Sequence, residues 1–242
     1  MPAKPGPLRP HEARRNYVRR TPLPIPPGQP DLGDTFLIVT EGEVTERLYF
    51  EKLRAMLQLS AAHVQVVHPP CTDAEGLVRA AMSARDNPAI RRKNGEVGIR
   101  EIVNYDHVWV IFDTDVPQRQ SQLGPALDLA RAEKISVALS TPSVEFWLLL
   151  HFRFTTGPLL DCARAGDALG SAWGRPYDKR GTTFENLWPV LAQQISTAVG
   201  RAEQVREHHR QARTQVPANP STDVDRLVCA LNAAVQPPLR IL

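Results

Sequence analysis

Two short apolar runs, each followed by carboxylates, constrain the fold of this chain more than any other feature. The first is Phe36–Thr40, followed by Glu41-Gly42-Glu43, and the second ends at Phe112, followed by Asp113-Thr114-Asp115. Both have the length and composition of buried strands. Ligands of open α/β sheets bind beyond the carboxyl ends of the strands. Carboxylates gathered there repel one another unless a cation holds them, so the pattern predicts a divalent metal site.

The composition is that of an ordinary globular protein. The chain has 242 residues, of which 42% are hydrophobic and 23% charged, which suits an α/β domain with additions. It has no apolar run of about 18 residues and no apolar signal-like core near the N-terminus, so we expect neither a membrane span nor secretion. Its three cysteines stand far apart, which predicts no disulfide framework or thiolate zinc site and favours a reducing cytoplasm.

The alternation of apolar segments predicts α/β architecture with a parallel sheet flanked by helices. Predicted strands are Phe36–Thr40, Val64–Val67, His107–Phe112 and Ile135–Leu139. Helices are predicted after an N-cap at Thr45, at Ala74–Ala84 and at Leu123–Ala132. We therefore place a Rossmann-like core at 34–154. The preceding segment, 1–33, holds nine prolines and a local charge of +4, which predicts a basic flexible arm that is either a solvated tail or a contact for phosphates.

The remaining residues, 155–242, are predicted to form a mostly helical extension packed on the core. An apolar helix is expected at Val144–Phe154, an irregular stretch at 155–188, and a long helix at Trp188–Arg213 interrupted at Gly200. A final helix is expected from about Ser221 to Ala234, capped by Ser221 or Thr222.

Four carboxylates near the sheet edge are candidates for chemistry. Glu41 follows the first strand, and Asp113 and Asp115 follow the third with a spacing that directs both side chains to one side of an extended segment. Their oxygens would suit Mg²⁺ or Mn²⁺, ions that bind phosphate oxygens, activate water and stabilise a leaving oxygen. Glu46 falls in the first helical turn. The alternative is that these are ordinary solvated strand ends and that Glu46 only complements the helix dipole.

Glu145 and His151 lie in a strongly apolar run. An unpaired carboxylate would be costly there, which predicts a cationic partner or a metal for Glu145. The alternative is an exposed residue in a first helical turn. His151 lies six positions later, off the helical face of Glu145, and we interpret it as a hydrogen-bonded core or rim histidine rather than a general base.

Basic residues mark possible contacts with nucleic acid, although each could equally be a solvated charge. The candidates are Arg91, Arg92, Lys93, Lys179, Arg206 and Arg210. Such contacts predict strong salt dependence. His208 and His209 are rejected as a metal pair because adjacent helical residues point about 100° apart. The chain lacks the G-x-x-x-x-G-K-S/T loop, so any ATP dependence would come from a partner ATPase.

Four ordered motifs resemble those of the RloB-like proteins, a family that shares features of the Toprim domain. They are Glu-Gly-Glu-Val-Thr-Glu-x-x-Tyr-Phe at 41–50, Val-Trp-Val-Ile-Phe-Asp-Thr-Asp at 108–115, Ser-Val-Glu-Phe-Trp-Leu-Leu-Leu-His-Phe at 143–152 and Asn-Pro-Ser-Thr-x-Val at 219–224. The resemblance implies a Toprim fold, metal-linked roles for Glu41, Asp113 and Asp115, and a place in prokaryotic defence against phage.

The function favoured at this point is a nuclease dependent on Mg²⁺ or Mn²⁺, with Glu46 and Glu145 completing or orienting the metal shell. One alternative is a non-catalytic nucleic-acid-binding or sensing subunit beside an ATPase. Another is phosphoryl or nucleotidyl transfer, although neither Tyr105 nor Tyr177 is marked as a nucleophile. The sequence does not decide whether the substrate is RNA such as tRNA or DNA. It also leaves open whether one or two metals bind and whether the protein is a homo-oligomer.

Overall fold

The computed structural model describes residues 34–60, 64–71, 73–86, 105–114 and 117–242. Three sets of predictions lie outside these residues: the arm at 1–33, the basic residues Arg91, Arg92 and Lys93, and Asp115. In the described part, the strands are β1 (Phe36–Thr40), β2 (Val64–Val67), β3 (His107–Asp113), β4 (Ser136–Thr141) and β5 (Ser221–Thr222). The helices are α1 (Thr45–Met56), α2 (Ala74–Asp86), α3 (Pro117–Ala132), α4 (Glu145–Leu150), α5 (Cys162–Trp173), α6 (Gly181–Gln193), α7 (Ile195–Gln211), α8 (Val224–Ala233) and a 3₁₀ turn at Pro237–Leu239.

The strands form one sheet with the order β2-β1-β3-β4-β5. Strands β1 to β4 run parallel, and β5 pairs antiparallel with β4. From β1 the chain moves to β2 on one side, whereas β3 lies on the other side and leads outward to β4. The order therefore reverses between β1 and β3, and such a switch point opens a crevice at the carboxyl ends of the two strands.

Helices cover both faces of the sheet, which explains why the strands are almost continuously apolar. Along β1, Phe36 and Ile38 face a core built with α1 and α4 to α8. Leu37 and Val39 face a smaller core built with α2 and α3. The predicted α/β class, with a mostly parallel sheet, flanking helices and a helical C-terminal region, is confirmed.

The prediction of an irregular stretch at 155–188 is wrong, because α5 and the start of α6 lie within it. Asp161 begins α5 by accepting a hydrogen bond from the Arg164 amide at 2.8 Å, and Gly174 ends it in the left-handed conformation, with φ of 77°. Of the buried residues of this helix, Ala165 and Gly170 are small and only Leu169 is large, so few large apolar side chains mark its buried face in the sequence.

The predicted long helix and two predicted caps also need correction. The break falls at Gln194, between α6 and α7, whereas Gly200 lies within α7. Thr45 is the first residue of α1 rather than its N-cap, and its hydroxyl contacts the Tyr177 hydroxyl at 3.0 Å. Thr222 belongs to β5, because the sheet edge offered by β4 competes with the start of the last helix.

No helix in the part of the chain that the structure describes is long and apolar enough to cross a membrane.

Candidate functional site

The carboxylates that follow β1 and β3 meet at the switch point of the sheet. The backbone N–H of Asp113 donates to Oε2 of Glu41 at 3.0 Å. The backbone N–H of Glu41 in turn donates to the carbonyl of Ile111 at 3.1 Å, which continues the pairing of the two strands. Two acidic residues 72 positions apart in sequence are thus neighbours, as the parallel arrangement requires.

Glu46 turns back toward this edge from the first turn of α1. It is buried, and its Oε1 accepts a hydrogen bond from the Gly42 backbone N–H at 3.1 Å. A Cβ atom at Gly42 would lie 1.9 Å from Oε2 of Glu46, so the approach requires a glycine. Glu46 therefore does more than complement the helix dipole from the surface.

Glu145, the first residue of α4, is fully buried and hydrogen-bonded on both oxygens. Ser143 Oγ donates to its Oε2 at 2.7 Å, and the Tyr177 hydroxyl donates to its Oε1 at 3.3 Å. Nζ of Lys179 lies 3.2 Å from the same Oε1. Of the two interpretations of Glu145, the described structure supports a buried carboxylate with a cationic partner and excludes an exposed one.

The charges of this cluster act on one another. Burial raises the pKa of Glu46 to about 7, with Glu145 and Glu41 adding to the rise and Lys179 opposing it. Burial and the charges of Glu46, Glu145 and Glu41 raise the pKa of Asp113 well above its usual range. Although burial opposes the charged ammonium, Glu145 keeps the pKa of Lys179 above its ordinary value. The cluster therefore contains more carboxyl groups than its lysine can neutralise, and without a cation Glu46 and Asp113 are shifted toward their protonated forms.

The donor chemistry of the cluster fits a hard divalent cation, but the described residues do not by themselves form a complete site. Oδ1 of Asp113 is buried without a hydrogen-bond partner among them. Carboxylate oxygens are the preferred ligands of Mg²⁺ and Mn²⁺. Within the same residues, no three His, Cys, Asp or Glu side chains lie close enough together to hold a metal ion. The third predicted ligand, Asp115, lies outside them.

The predicted nucleic-acid contacts are placed very differently. Lys179 lies within the cluster and remains about half exposed, at 54%. Arg210 is exposed and pairs with Glu207 and Glu203. Arg206 is turned inward, with its side chain 16% exposed, and contacts both carboxylate oxygens of Asp225. Its charge is used to join α7 to α8, so we remove Arg206 from the nucleic-acid surface.

The interpretation of His151 as a hydrogen-bonded core histidine agrees with the structure. His151 is buried, its Nδ1 lies 3.0 Å from the carbonyl oxygen of Trp147, and burial lowers its pKa to about 4. It is a neutral core residue. His209, which lies within α7, contacts the carbonyl oxygen of Pro220 through Nε2 at 2.8 Å and so connects α7 to the segment before β5.

Sequence reasoning missed the residues that hold Glu145 in place. Ser143 lies only two positions before Glu145, in the same motif, whereas Cys162 and Tyr177 come from later segments, and no spacing in the sequence relates those two residues to Glu145. Cys162 Sγ lies 3.8 Å from Oε2 of Glu145. Burial and the charge of Glu145 raise the pKa of the Tyr177 hydroxyl, which argues against this tyrosine as an attacking nucleophile.

Comparison with known families agrees with the four sequence motifs. The profile described as RloB-like protein matches residues 36–231, which covers every strand of the sheet and nearly all of α8. The chain belongs to the RloB-like family. No curated protein matches it. The matched region includes all the residues of the cluster, so the candidate site lies within the part of the chain that defines the family.

Proposed function

We propose that this RloB-like protein is a nuclease that hydrolyses nucleic-acid phosphodiester bonds with the help of Mg²⁺ or Mn²⁺. The observation that carries the proposal is the unbalanced charge at the switch point. Glu41, Glu46, Asp113 and Glu145 act on one another there, and Lys179 is the cation that acts on them. Buried carboxylates in such excess favour either protons or a bound cation.

Glu41 and Asp113 would hold the ion together with Asp115, and Glu46 and Glu145 would orient these ligands from behind. A bound ion would activate the attacking water and offset charge on the leaving oxygen. The free Oδ1 of Asp113 supports its role among the described residues. The like charges that raise the pKa of Asp113 also disfavour an ionised site without a cation.

Lys179 is the residue that we propose meets the substrate. Its partner Glu145 is fully buried, whereas the lysine side chain is half exposed, so the ammonium lies between the cluster and solvent. A phosphate group that approaches the cluster would therefore contact the Lys179 ammonium, which would then interact with both the phosphate and Glu145. Ser143 and Tyr177 keep the Glu145 carboxylate in place by hydrogen bonds while this happens.

Family membership suggests a defence-associated protein. We extend this to a Toprim-type antiviral effector, acting in the prokaryotic cytoplasm on RNA such as tRNA or on DNA, and regulated by an ATPase or another defence partner. The Toprim assignment is supported by the sequence motifs and by the placement of Glu41 and Asp113 at the ends of adjacent parallel strands.

A second candidate function is a non-catalytic nucleic-acid-binding or sensing subunit. It is favoured by the finding that, in the described segments, no group of three potential ligands is preassembled for a metal. It is also compatible with Lys179 already neutralising Glu145. In that case the carboxylates would be structural, and removing them would change stability without removing any activity.

The test is cleavage of labelled plasmid DNA, single-stranded DNA and total tRNA in Mg²⁺, Mn²⁺ or EDTA. Wild type is compared with an Asp113→Asn, Asp115→Asn double variant and with Asp128→Asn, a matched control on α3 whose side chain is 75% exposed. The proposal expects metal-dependent cutting by wild type and the control but not by the double variant. Cutting that persists in the double variant contradicts it. Binding without cutting favours the sensing subunit.

A further inference from the structure

A groove lies along one face of α5 and the segment that follows this helix. Its volume is ≈ 420 Å³, and the residues that line it include Gly166, Gly170, Ser171, Arg175 and Tyr177. Cavities of roughly 300–1,000 Å³ commonly hold small ligands. None of the residues assigned above to the metal or to the phosphate contact lines this groove, so it is a separate feature of the surface.

One face of α5 links the groove to the acidic site. Cys162, Gly166 and Gly170 are spaced by four residues, so they share one face of α5. The first of these side chains contacts Glu145, with Sγ 3.8 Å from Oε2, and the other two residues line the groove. At 1.5 Å per residue, Cys162 and Gly170 lie about 12 Å apart along the helix. That length corresponds to roughly three or four stacked nucleotides at ~3.4 Å each.

Tyr177 joins the two regions from the other side. Its hydroxyl donates to Glu145 at 3.3 Å, while the same residue lines the groove. Glycines allow its segment to lie close to α5. A Cβ atom at Gly170 would lie 3.0 Å from the carbonyl oxygen of Arg175 and 3.1 Å from the Tyr177 amide. At Gly166 a Cβ atom would lie 3.6 Å from the Tyr177 ring, which is an ordinary contact. Gly166 is therefore not required for packing, and its missing side chain leaves groove volume open.

The groove carries the chemical groups that bind a nucleotide. The guanidinium of Arg175 lies over the Trp173 ring, 5.6 Å from its centroid, and forms no ion pair with a carboxylate in the described segments. A flat cation stacked on an aromatic ring offers both a stacking surface for a base and a donor for phosphate. Asp167 lines the groove as well, and its pair with Arg164 is long, at 3.8 Å. Its carboxylate can accept hydrogen bonds from a base amino group.

From this link and chemistry we propose that the groove binds a nucleotide of a single-stranded nucleic acid, a few positions from the phosphate that enters the acidic site. Arg175 contacts its phosphate or stacks on its base, Asp167 accepts from the base amino group, and Tyr177 forms the wall shared with the acidic site. The inference rests on the proposed function in one respect: it takes the acidic site as the place where another phosphate of the same strand binds. The binding itself does not require cleavage.

The test measures binding of fluorescent single-stranded RNA and DNA oligonucleotides to the full-length chain carrying Asp113→Asn, a change that the proposed function expects to prevent cleavage. Three further variants are compared in this background. Arg175→Ala removes the cation, and Gly166→Leu fills the groove with a residue that favours helices. Arg131→Ala is the matched control, an arginine with a 78% exposed side chain on α3, a helix of the opposite sheet face. Thermal unfolding verifies that all variants fold.

We expect Arg175→Ala and Gly166→Leu each to weaken oligonucleotide binding at least tenfold and Arg131→Ala to change it less than twofold. Equal effects of all three variants, or unchanged binding in the two groove variants, would overturn the inference. Binding that weakens for blunt duplexes as much as for single strands would also contradict it, because the groove would then not distinguish a single strand.

Cleavage by the wild-type background separates this inference from the proposed function. Active cleavage with groove variants that bind normally rejects the groove alone. Absent cleavage with groove-dependent binding rejects the nuclease and supports the groove as part of a binding subunit. The absence of both cleavage and binding rejects both.

Discussion

Two buried carboxylates of this protein, Glu145 and Asp225, each face a cation, and they differ in what else surrounds them. Arg206 contacts the two oxygens of Asp225 at 2.7 and 2.6 Å and also donates to the Thr222 carbonyl at 2.9 Å. Glu145 shares Lys179 with further carboxylates at the switch point. Arg206 also contacts the exposed Glu203 at 2.7 Å, but at its buried end one guanidinium meets both oxygens of a single carboxylate, so the buried charges there are balanced. In the second region several buried carboxyl groups share one lysine.

The comparison shows why a buried ion pair is not by itself a sign of function. A balanced pair such as Arg206 with Asp225 fixes two helices together and leaves no group available to a ligand. An unbalanced cluster raises the pKa of its own members, as Glu46 and Asp113 show, and gains from an added cation. Charge balance, more than burial, distinguishes the candidate site from the Arg206–Asp225 pair, which only connects α7 to α8.

The largest expected effect comes from breaking the balanced pair. Arg206→Met leaves Asp225, whose side chain is 4% exposed, without its cation, which should lower the free energy of unfolding by about 3–5 kcal/mol. Urea denaturation at pH 7.5 measures this. Asp113→Asn, which removes a charge from the unbalanced cluster, should not lower stability. Similar losses in the two variants would show that the regions do not differ as we argue.

The next effect is the pH dependence contributed by Glu46. Its pKa is about 7 in the folded state, against an ordinary value of 4.5, so the folded state holds the proton more tightly. The resulting stability is present below pH 4.5 and is lost as the pH rises to about 7. In EDTA, Glu46→Gln should therefore be more stable than wild type at pH 8, by up to roughly 3 kcal/mol, and similar to it near pH 4.5.

His151 contributes a pH dependence of stability that is opposite in sign to that of Glu46. Burial lowers the pKa of His151 to about 4 from an ordinary 6.5, so its contribution has the opposite sign and is lost as the pH falls from 6.5 to 4. In wild type the two slopes partly cancel. Glu46→Gln should expose the histidine slope, with stability rising between pH 4 and 6.5. A wild-type curve and a variant curve that run parallel would contradict the assignment to Glu46.

A smaller change in stability is expected from Lys179→Met. Because the lysine is half exposed, solvent screens its pair with Glu145, and we expect a loss of about 1 kcal/mol. If the proposed function is right, cleavage should fall at least tenfold, because the variant lacks the cation proposed to contact the phosphate. Lys52→Met, which removes a lysine paired with Glu185 on the surface, is the matched control and should retain cleavage. Equal cleavage by the two variants would show that Lys179 has no specific role in cleavage.

The smallest effect is predicted for Arg210→Ala. Its partners, Glu203 and Glu207, are exposed, so stability should change by less than about 0.5 kcal/mol. If Arg210 contacts a phosphate, the variant should bind nucleic acid with a salt dependence reduced by about one contact. Binding at several salt concentrations measures this. If the dependence of the binding constant on salt is unchanged in the variant, Arg210 is an ordinary surface charge.

Much of the sheet could be predicted because strands buried on both faces leave a clear apolar pattern. Phe36–Thr40 and Val64–Val67 were predicted with the bounds that the structure shows. α5 was missed because two of its three buried residues, Ala165 and Gly170, are small and leave Leu169 as the single large apolar side chain among them. β5 was predicted as helix because its two residues gain their partners only from β4, 80 positions away in the chain.

The residues of the candidate site likewise fall into those that the sequence predicted and those that only the structure identified. The acidic strand ends of Glu41 and Asp113 were visible in the sequence because parallel strands place their carboxyl ends at one edge. The sequence by itself therefore determined the family, the α/β class and the position of the acidic edge. Only the tertiary structure decided that Arg206 is a structural cation and Lys179 a member of the site. Both are basic residues in polar surroundings of the sequence, and only folding determines which carboxylate each one meets and how many others compete for it.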